Sequence, residues 1–178
     1  EHALPNVAFL RTRIEFIGAF FGPGEVDGIW LTFSDPQLRG SENSRLSSPL
    51  FLERYRRFLV PGGTVQLKTD SRFLYEYTRA VCRVNGLSVL ACGTDIYRSS
   101  VAWCPAGATA PVDIAAVTGV QTFYERMFLE MGLPITYLAF RIDHEGPYAF
   151  PGEAFDHERW LQAEGPRRSF SHQPAARR

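Results

Sequence analysis

Apolar and polar positions along this chain fall into blocks whose period switches between two and about 3.6 residues. Residues 6–10, NVAFL, form a short apolar run and predict a strand. Ile14, Ile17, Phe20 and Phe21 recur at helical spacing over 13–21, and Gly22-Pro23-Gly24 stops that helix. Residues 27–34, DGIWLTFS, are rich in β-branched and aromatic side chains and predict a buried strand that ends at Asp35-Pro36. A polar loop follows over 36–48. Ser48 as cap and Pro49 at the first helical position then open a helix through PLFLERYRRFL. Leu59 to Gly63 reads as a tight turn before the strand TVQLKTD. Residues 71–85 predict a helix closed by Gly86, and LSVLACGTDIY a strand running into a loop. Residues 100–118 read as a flexible loop, 119–131 as a helix ended by Gly132, and ITYLAFRI as a last strand of period two. Beyond 145 the chain turns rich in Pro, Gly and Arg. One domain is therefore expected over 1–145, with a partly disordered tail over 146–178.

Strands alternating with helices predict an α/β fold, a parallel sheet with helices on both faces. Sites in such sheets form beyond the carboxyl ends of the strands, which selects Arg11 to Arg13, Asp35, and Lys68 to Asp70. The length of 178 residues, with 45% hydrophobic and 21% charged residues, suits one globular domain with a real core and excludes disordered, collagen-like and coiled-coil chains. No apolar run approaches the roughly 20 residues a membrane helix needs. The first residues, EHALPNVAFL, carry no secretory pattern and no initiator Met, so a fragment is expected. Nineteen basic and nineteen acidic side chains cancel. Broad non-specific nucleic-acid binding is thereby disfavoured, while a local basic face stays open. Lys68 is the only lysine. The arginines reflect GC-rich codon usage or suit phosphate through their planar fork. Cys82, Cys92 and Cys104 show no CxxC spacing, and the histidines no ligand spacing. Buried thiols in a reducing cytoplasm are expected, with no metal site and no disulfide framework.

FSDP, then a basic loop and RL, then FLERYRRFL, LVPGG, LKTD and a later TFYE occur in that order. The set resembles the tRNA (guanine-N7)-methyltransferase family over roughly residues 5–143. NVAFLRT, GEVDGIWLTFSDPQ and FLVPGGTVQLKTDS are closest to the Bacteroidetes form of the bacterial single-subunit type. LVPGG alone is shared by many methyltransferases; the ordered set carries the resemblance. It implies a Rossmann-like class I S-adenosylmethionine-dependent methyltransferase fold in the cytoplasm. The implied reaction is methyl transfer from S-adenosylmethionine to N7 of a guanine in the tRNA variable loop. The partner implied is tRNA, with no membrane and no obligatory protein, in a monomer or homodimer. The family's first strands and glycine-rich E-x-G-x-G-x-G loop have no counterpart before NVAFL. Residues 1–145 are thus expected to be a partial methyltransferase domain with weakened cofactor affinity.

The resemblance also implies roles. Asp35 becomes the catalytic and cofactor-side carboxylate; the alternative is an Asp closing a strand-end turn. Asp70 becomes a substrate ligand, its oxygens accepting from the Watson–Crick edge of guanine; the alternative is a helix cap for SRFLYEYT. Arg39 takes the place of a substrate-binding lysine, able to clamp phosphate or to bridge O6 and N7; the alternative is a solvated loop charge. The loop DPQLRGSENSRL departs from the family's DPQMKKxxKRL. It keeps Arg39 and Arg45 as positive charges and gains Glu42, which lowers the expected affinity for tRNA. Arg13 stands where the family places Asp or Asn against the adenine, and a guanidinium cannot accept that bond; Thr12 beside it could substitute. Thr122, Phe123, Tyr124 and Glu125 match the segment at the bound nucleotide; the alternative is core aromatics beside a surface Glu. Arg54, Arg56 and Arg57 read as an exposed helix face. Arg167, Arg168, Arg177 and Arg178 read as a solvated tail or phosphate contacts. Two other functions stay open: a vestigial tRNA-binding chain without catalysis, and a small-molecule class I methyltransferase.

Overall fold

The computed structural model describes residues 5–98 and 113–168, and these form one four-stranded sheet in the order β1-β2-β4-β3. The strands are β1 (Val26–Thr32), β2 (Leu59–Thr69), β3 (Val89–Gly93) and β4 (Thr136–Arg141). β1 runs parallel to β2, whereas β4 is antiparallel to both of its neighbours, β2 and β3. The fold is α/β, but the sheet is mixed rather than wholly parallel. The reason is the path between β3 and β4. Helices α3 (Ile114–Gly119) and α4 (Phe123–Glu130) stay at the sheet end where β3 finishes, and the Ile96 amide there donates to the Ile135 carbonyl. A strand starting from that end has to run back against its neighbours.

Helices α1 (Pro49–Tyr55) and α2 (Arg72–Val84) cover one face. Phe51, Leu52, Tyr55, Phe73, Leu74 and Tyr77 pack there on Val65, Leu67, Leu138 and Phe140. A second cluster joins Val117 and Phe128 to Leu90, Ala91, Ile135, Tyr137 and Ala139. The expected turn at 59–63 is a bulge inside one long strand: Val26 pairs with Leu59 and Gly28 already with Thr64. Gly62 takes φ +74°, and a Cβ on Gly63 would lie 2.9 Å from the Val60 carbonyl oxygen, so the Gly-Gly pair has a steric reason.

Three sequence expectations need correction. Residues 6–10 are exposed chain with no strand partner among the described residues, so their apolar run lacks the neighbour a strand requires. The helix expected over 13–21 is a 3-10 stretch, Ile14–Ala19, in which only Ile14 and Ile17 pack against the core. Of the loop expected over 100–118, residues 114–118 belong to α3, while 100–112, with Cys104, lie outside the described residues.

The segment read as a tail contributes structure as well. It forms a 3-10 turn, Gly152–Ala154, and helix α5 (His157–Arg168). Phe155 packs edge-on against Phe73 and Tyr77, with centroids 5.1 and 5.4 Å away, and Trp160 and Leu161 lean on the same core. The buried Glu164 carboxylate accepts the Phe73 amide at 3.2 Å, at the positive end of α2. Arg167 and Arg168 fall at the end of α5; Arg177 and Arg178 lie outside the described residues. Residues 152–168 of that segment are thus seated on the core by three apolar anchors, against the pull of the Pro, Gly and Arg composition.

Among the described residues no helix is long and apolar enough to cross a membrane, and no cluster of His, Cys, Asp and Glu could hold a metal. Cys82 and Cys92 are free thiols, and burial pushes the Cys82 thiol well above its ordinary value.

α4 starts later than periodicity predicts because Thr122 caps it. Its hydroxyl accepts the Glu125 amide at 3.2 Å, while the Glu125 carboxylate accepts the Thr122 amide at 3.3 Å. Thr122→Ala is expected to cost about 1 kcal/mol, read as a lower urea midpoint at unchanged slope.

Candidate functional site

Beyond β1 the chain makes a constrained turn. Phe33 and Gln37, neither of them glycine, sit at φ 50° and 51°. Such residues cost of order 1–3 kcal/mol each and persist only where their surroundings impose them. Here the surroundings are visible. The Phe33 amide donates to the Lys68 carbonyl at 2.9 Å, and its ring packs 5.9 Å from Phe128 of α4. Asp35 is exposed, and its Oδ1 accepts the Gln37 amide at 2.9 Å, closing the turn. Arg45 holds the next two carbonyls: Nε donates to Pro36 at 3.2 Å and Nη2 to Gln37 at 3.4 Å. Arg45 is 2% exposed, and its guanidinium lies against the rings of Phe73 and Tyr77, at 4.9 and 4.5 Å. Arg45, counted among the loop's positive charges in the sequence, is therefore an internal brace. Arg39 remains exposed in the turn that follows.

Beyond β2, Asp70 is half-buried. It does not cap α2; Ser71 does, accepting the Leu74 amide at 3.1 Å. Lys68, two residues earlier, is 3% exposed and reaches the other side of the site. Its ammonium lies 2.6 Å from Glu125 Oε1 and donates to the carbonyls of Val117 at 2.6 Å and Val120 at 3.2 Å. The Tyr97 hydroxyl donates to the same carboxylate at 2.7 Å. Burial first, and then that bond, push the Tyr97 phenol up to about 12.

The four matched residues at the start of α4 divide into two kinds. Thr122 and Glu125 face inward as cap and ion-pair partner, Glu125 being 0% exposed. Phe123 and Tyr124 face outward at 70% and 59% exposure, in an edge-on pair with centroids 5.7 Å apart. Hydrogen bonds and ring packing thus bring three tips together: 33–37, 68–71 and 122–125. Thr12 and Arg13 stand apart on exposed chain, where Arg13 pairs with Glu15 at 3.4 Å. Ile14 and Ile17, just after them, line a cavity of about 390 Å³ with Thr32 and Ser34 at the end of β1. On α1 and just after it, Arg57 is exposed, but Arg54 covers the Phe51 ring and Arg56 binds the carbonyls of His144 and Gly146, so the arginine face is partly structural.

The sequence places Lys68 among the strand-end candidates without a specific role, gives no sign of Tyr97 or Glu164, and shows Arg45 only as a loop charge. One signal was present: a solitary lysine in a chain whose other cations are arginines.

Comparison with known proteins gives the following. A family model described as "Putative methyltransferase" matches residues 1–92. A tRNA (guanine-N(7)-)-methyltransferase of Bacteroides fragilis is 42% identical over 151 residues, covering 85% of this chain and 55% of that protein. Those of Bacteroides thetaiotaomicron and Christiangramia forsetii are each 42% identical, covering 82% and 80% of this chain and 53% and 59% of their own lengths. The chain spans a little over half the length of these relatives.

Proposed function

The chain belongs to the methyltransferase family whose model spans its first 92 residues, and from that premise we propose that it transfers a methyl group from S-adenosylmethionine to N7 of a guanine in tRNA. The cytoplasm is the proposed compartment, since substrate and cofactor meet there. The observation that carries the reading is the meeting, past the carboxyl ends of β1 and β2, of the segments that bear Asp35, Asp70 and the Phe123–Tyr124 pair. The curated relatives, named as tRNA (guanine-N(7)-)-methyltransferases, supply the substrate.

The residues present fit the cofactor at one point: the exposed carboxylate at Asp35 suits a cationic ligand, while Thr12, whose hydroxyl could accept from an adenine amine as the Arg13 side chain cannot, stands apart from the three tips. When bound, S-adenosylmethionine supplies an electrophilic methyl on a positively charged sulfur. The chain's own work is positional, because guanine N7 already carries an in-plane lone pair and needs no general base. Asp70 accepts from the two N–H donors of the Watson–Crick edge and so orients N7. Asp35 lends negative charge beside the reacting centre, held in place by its turn. Phe123 and Tyr124 offer faces on which an extruded base can stack.

Calorimetric titration with S-adenosylmethionine, followed by methyl transfer to unmodified tRNA, tests the reading. Asp35→Ala is expected to slow transfer by at least about 100-fold. A normal rate in that variant removes Asp35 from the mechanism. A second reading, RNA binding without transfer, draws on Arg13, which stands on exposed chain at the position the resemblance gives to the adenine and has no acceptor to offer there. Saturable tRNA binding with no cofactor heat at about 1 mM would favour it.

A further inference from the structure

We infer that Lys68 is a positioning residue for the RNA substrate: its buried ammonium holds the 117–125 segment so that Phe123 and Tyr124 project beyond the tip of β2 that carries Asp70. The inference rests on the tRNA reading above.

An ammonium has three N–H donors, and here three acceptors meet it: Glu125 Oε1 at 2.6 Å, the Val117 carbonyl at 2.6 Å and the Val120 carbonyl at 3.2 Å. Tyr97 closes the fourth side, its hydroxyl oxygen 3.5 Å from the nitrogen. Stability alone is a poor reason for this arrangement. Buried ion pairs give up hydration that their attraction barely returns, and apolar pairs of the same volume do as well or better. What the pair adds is direction. The acceptors come from α3, from the α3–α4 connection and from the first turn of α4, while the donor comes from β2 two residues before Asp70.

Phe123 and Tyr124 lie between two of these anchors, Val120 and Glu125. The Val120 carbonyl and the Glu125 carboxylate both turn in to the Lys68 ammonium, so the intervening rings are turned out. Two adjacent exposed aromatics would otherwise gain by packing into the protein; with both flanks tethered, that collapse is blocked and their faces stay available to a base. The residue type fits the task. Three acceptors around one nitrogen suit a compact ammonium on a flexible stem, and a flat guanidinium fork cannot reproduce them. This chain uses arginine at every other cationic side chain.

The test is titration of unmodified tRNA, and separately of S-adenosylmethionine, into the unaltered chain, Lys68→Met, Glu125→Gln, Phe123→Ala/Tyr124→Ala, and that double change combined with Lys68→Met. The expected result is a loss of tRNA affinity of roughly 10- to 100-fold in Lys68→Met, matching the aromatic double change. S-adenosylmethionine affinity should stay constant. Lys68→Met should add little once the rings are gone, because both changes remove the same contact. Glu125→Gln keeps the helix cap and carries the same comparison if Lys68→Met does not fold. Undiminished tRNA binding by the lysine variant, or a full further loss in the ring-less background, overturns the inference alone. An unaltered chain that binds no tRNA overturns the functional reading, and the inference with it.

Discussion

Glu125→Ala is expected to lower folding stability by about 3–5 kcal/mol, several times the usual effect of removing one acidic side chain. The size follows from burial. Lys68 and Glu125 are 3% and 0% exposed, so the substitution leaves a cation without its counter-charge and without water. It also removes the acceptor of the Thr122 amide and of the Tyr97 hydroxyl. Urea unfolding monitored by tryptophan fluorescence reads the loss as a shifted midpoint with unchanged slope. Adding Lys68→Met to Glu125→Leu should recover part of it, because the uncompensated charge is gone. Recovery stays incomplete, since the Val117 and Val120 carbonyls lose their donor in the double variant. A single-variant cost below about 1 kcal/mol would be the behaviour of an exposed pair and would contradict the buried geometry.

Arg45→Met should cost about 2–4 kcal/mol, from two charge-assisted bonds to a buried and a half-buried carbonyl and a guanidinium packed on two rings. The more telling outcome concerns RNA. A phosphate contact shows itself in the salt dependence of binding, each one contributing a slope of about one. Arg45→Met is expected to leave that slope untouched, because the side chain points away from solvent toward Pro36 and Gln37. Arg39→Ala, in the exposed turn, should reduce it by about one. Plots of log affinity against log salt for both variants separate a brace from a contact. A reduced slope in Arg45→Met would return that residue to the RNA surface.

The two arginines show where sequence reasoning reached and where it stopped. Both sit in one polar loop with identical chemistry, and only the fold reveals that Phe73 and Tyr77 of α2 close around one of them. Asp35 and Asp70 were legible because strands announce their ends, and a carboxylate at a strand end is visible in one dimension. The capping alternative for Asp70 was equally legible and fails because Ser71 takes the cap. Strand direction was not legible: β4 is buried along nearly its whole length and carries no mark of the way it runs. Glu125 was found as part of a motif, yet its inward aim depends on Lys68, more than fifty positions earlier. Long-range pairing leaves no trace in local periodicity. The same holds for residues 152–168, whose anchors Phe155, before α5, and Trp160 and Leu161, within it, are too few to show a helical stripe among so much Pro, Gly and Arg.

The outer side of β1 sets a limit of another kind. Among the described residues β1 is an outer strand, and its sequence VDGIWLT offers one charge, no lysine and no proline to discourage a stray partner. Trp30 is 46% exposed on it, and the apolar cavity of about 390 Å³ runs alongside. Among the described residues an open backbone ladder thus lies beside an apolar trough, which is the geometry a further strand needs in order to pair.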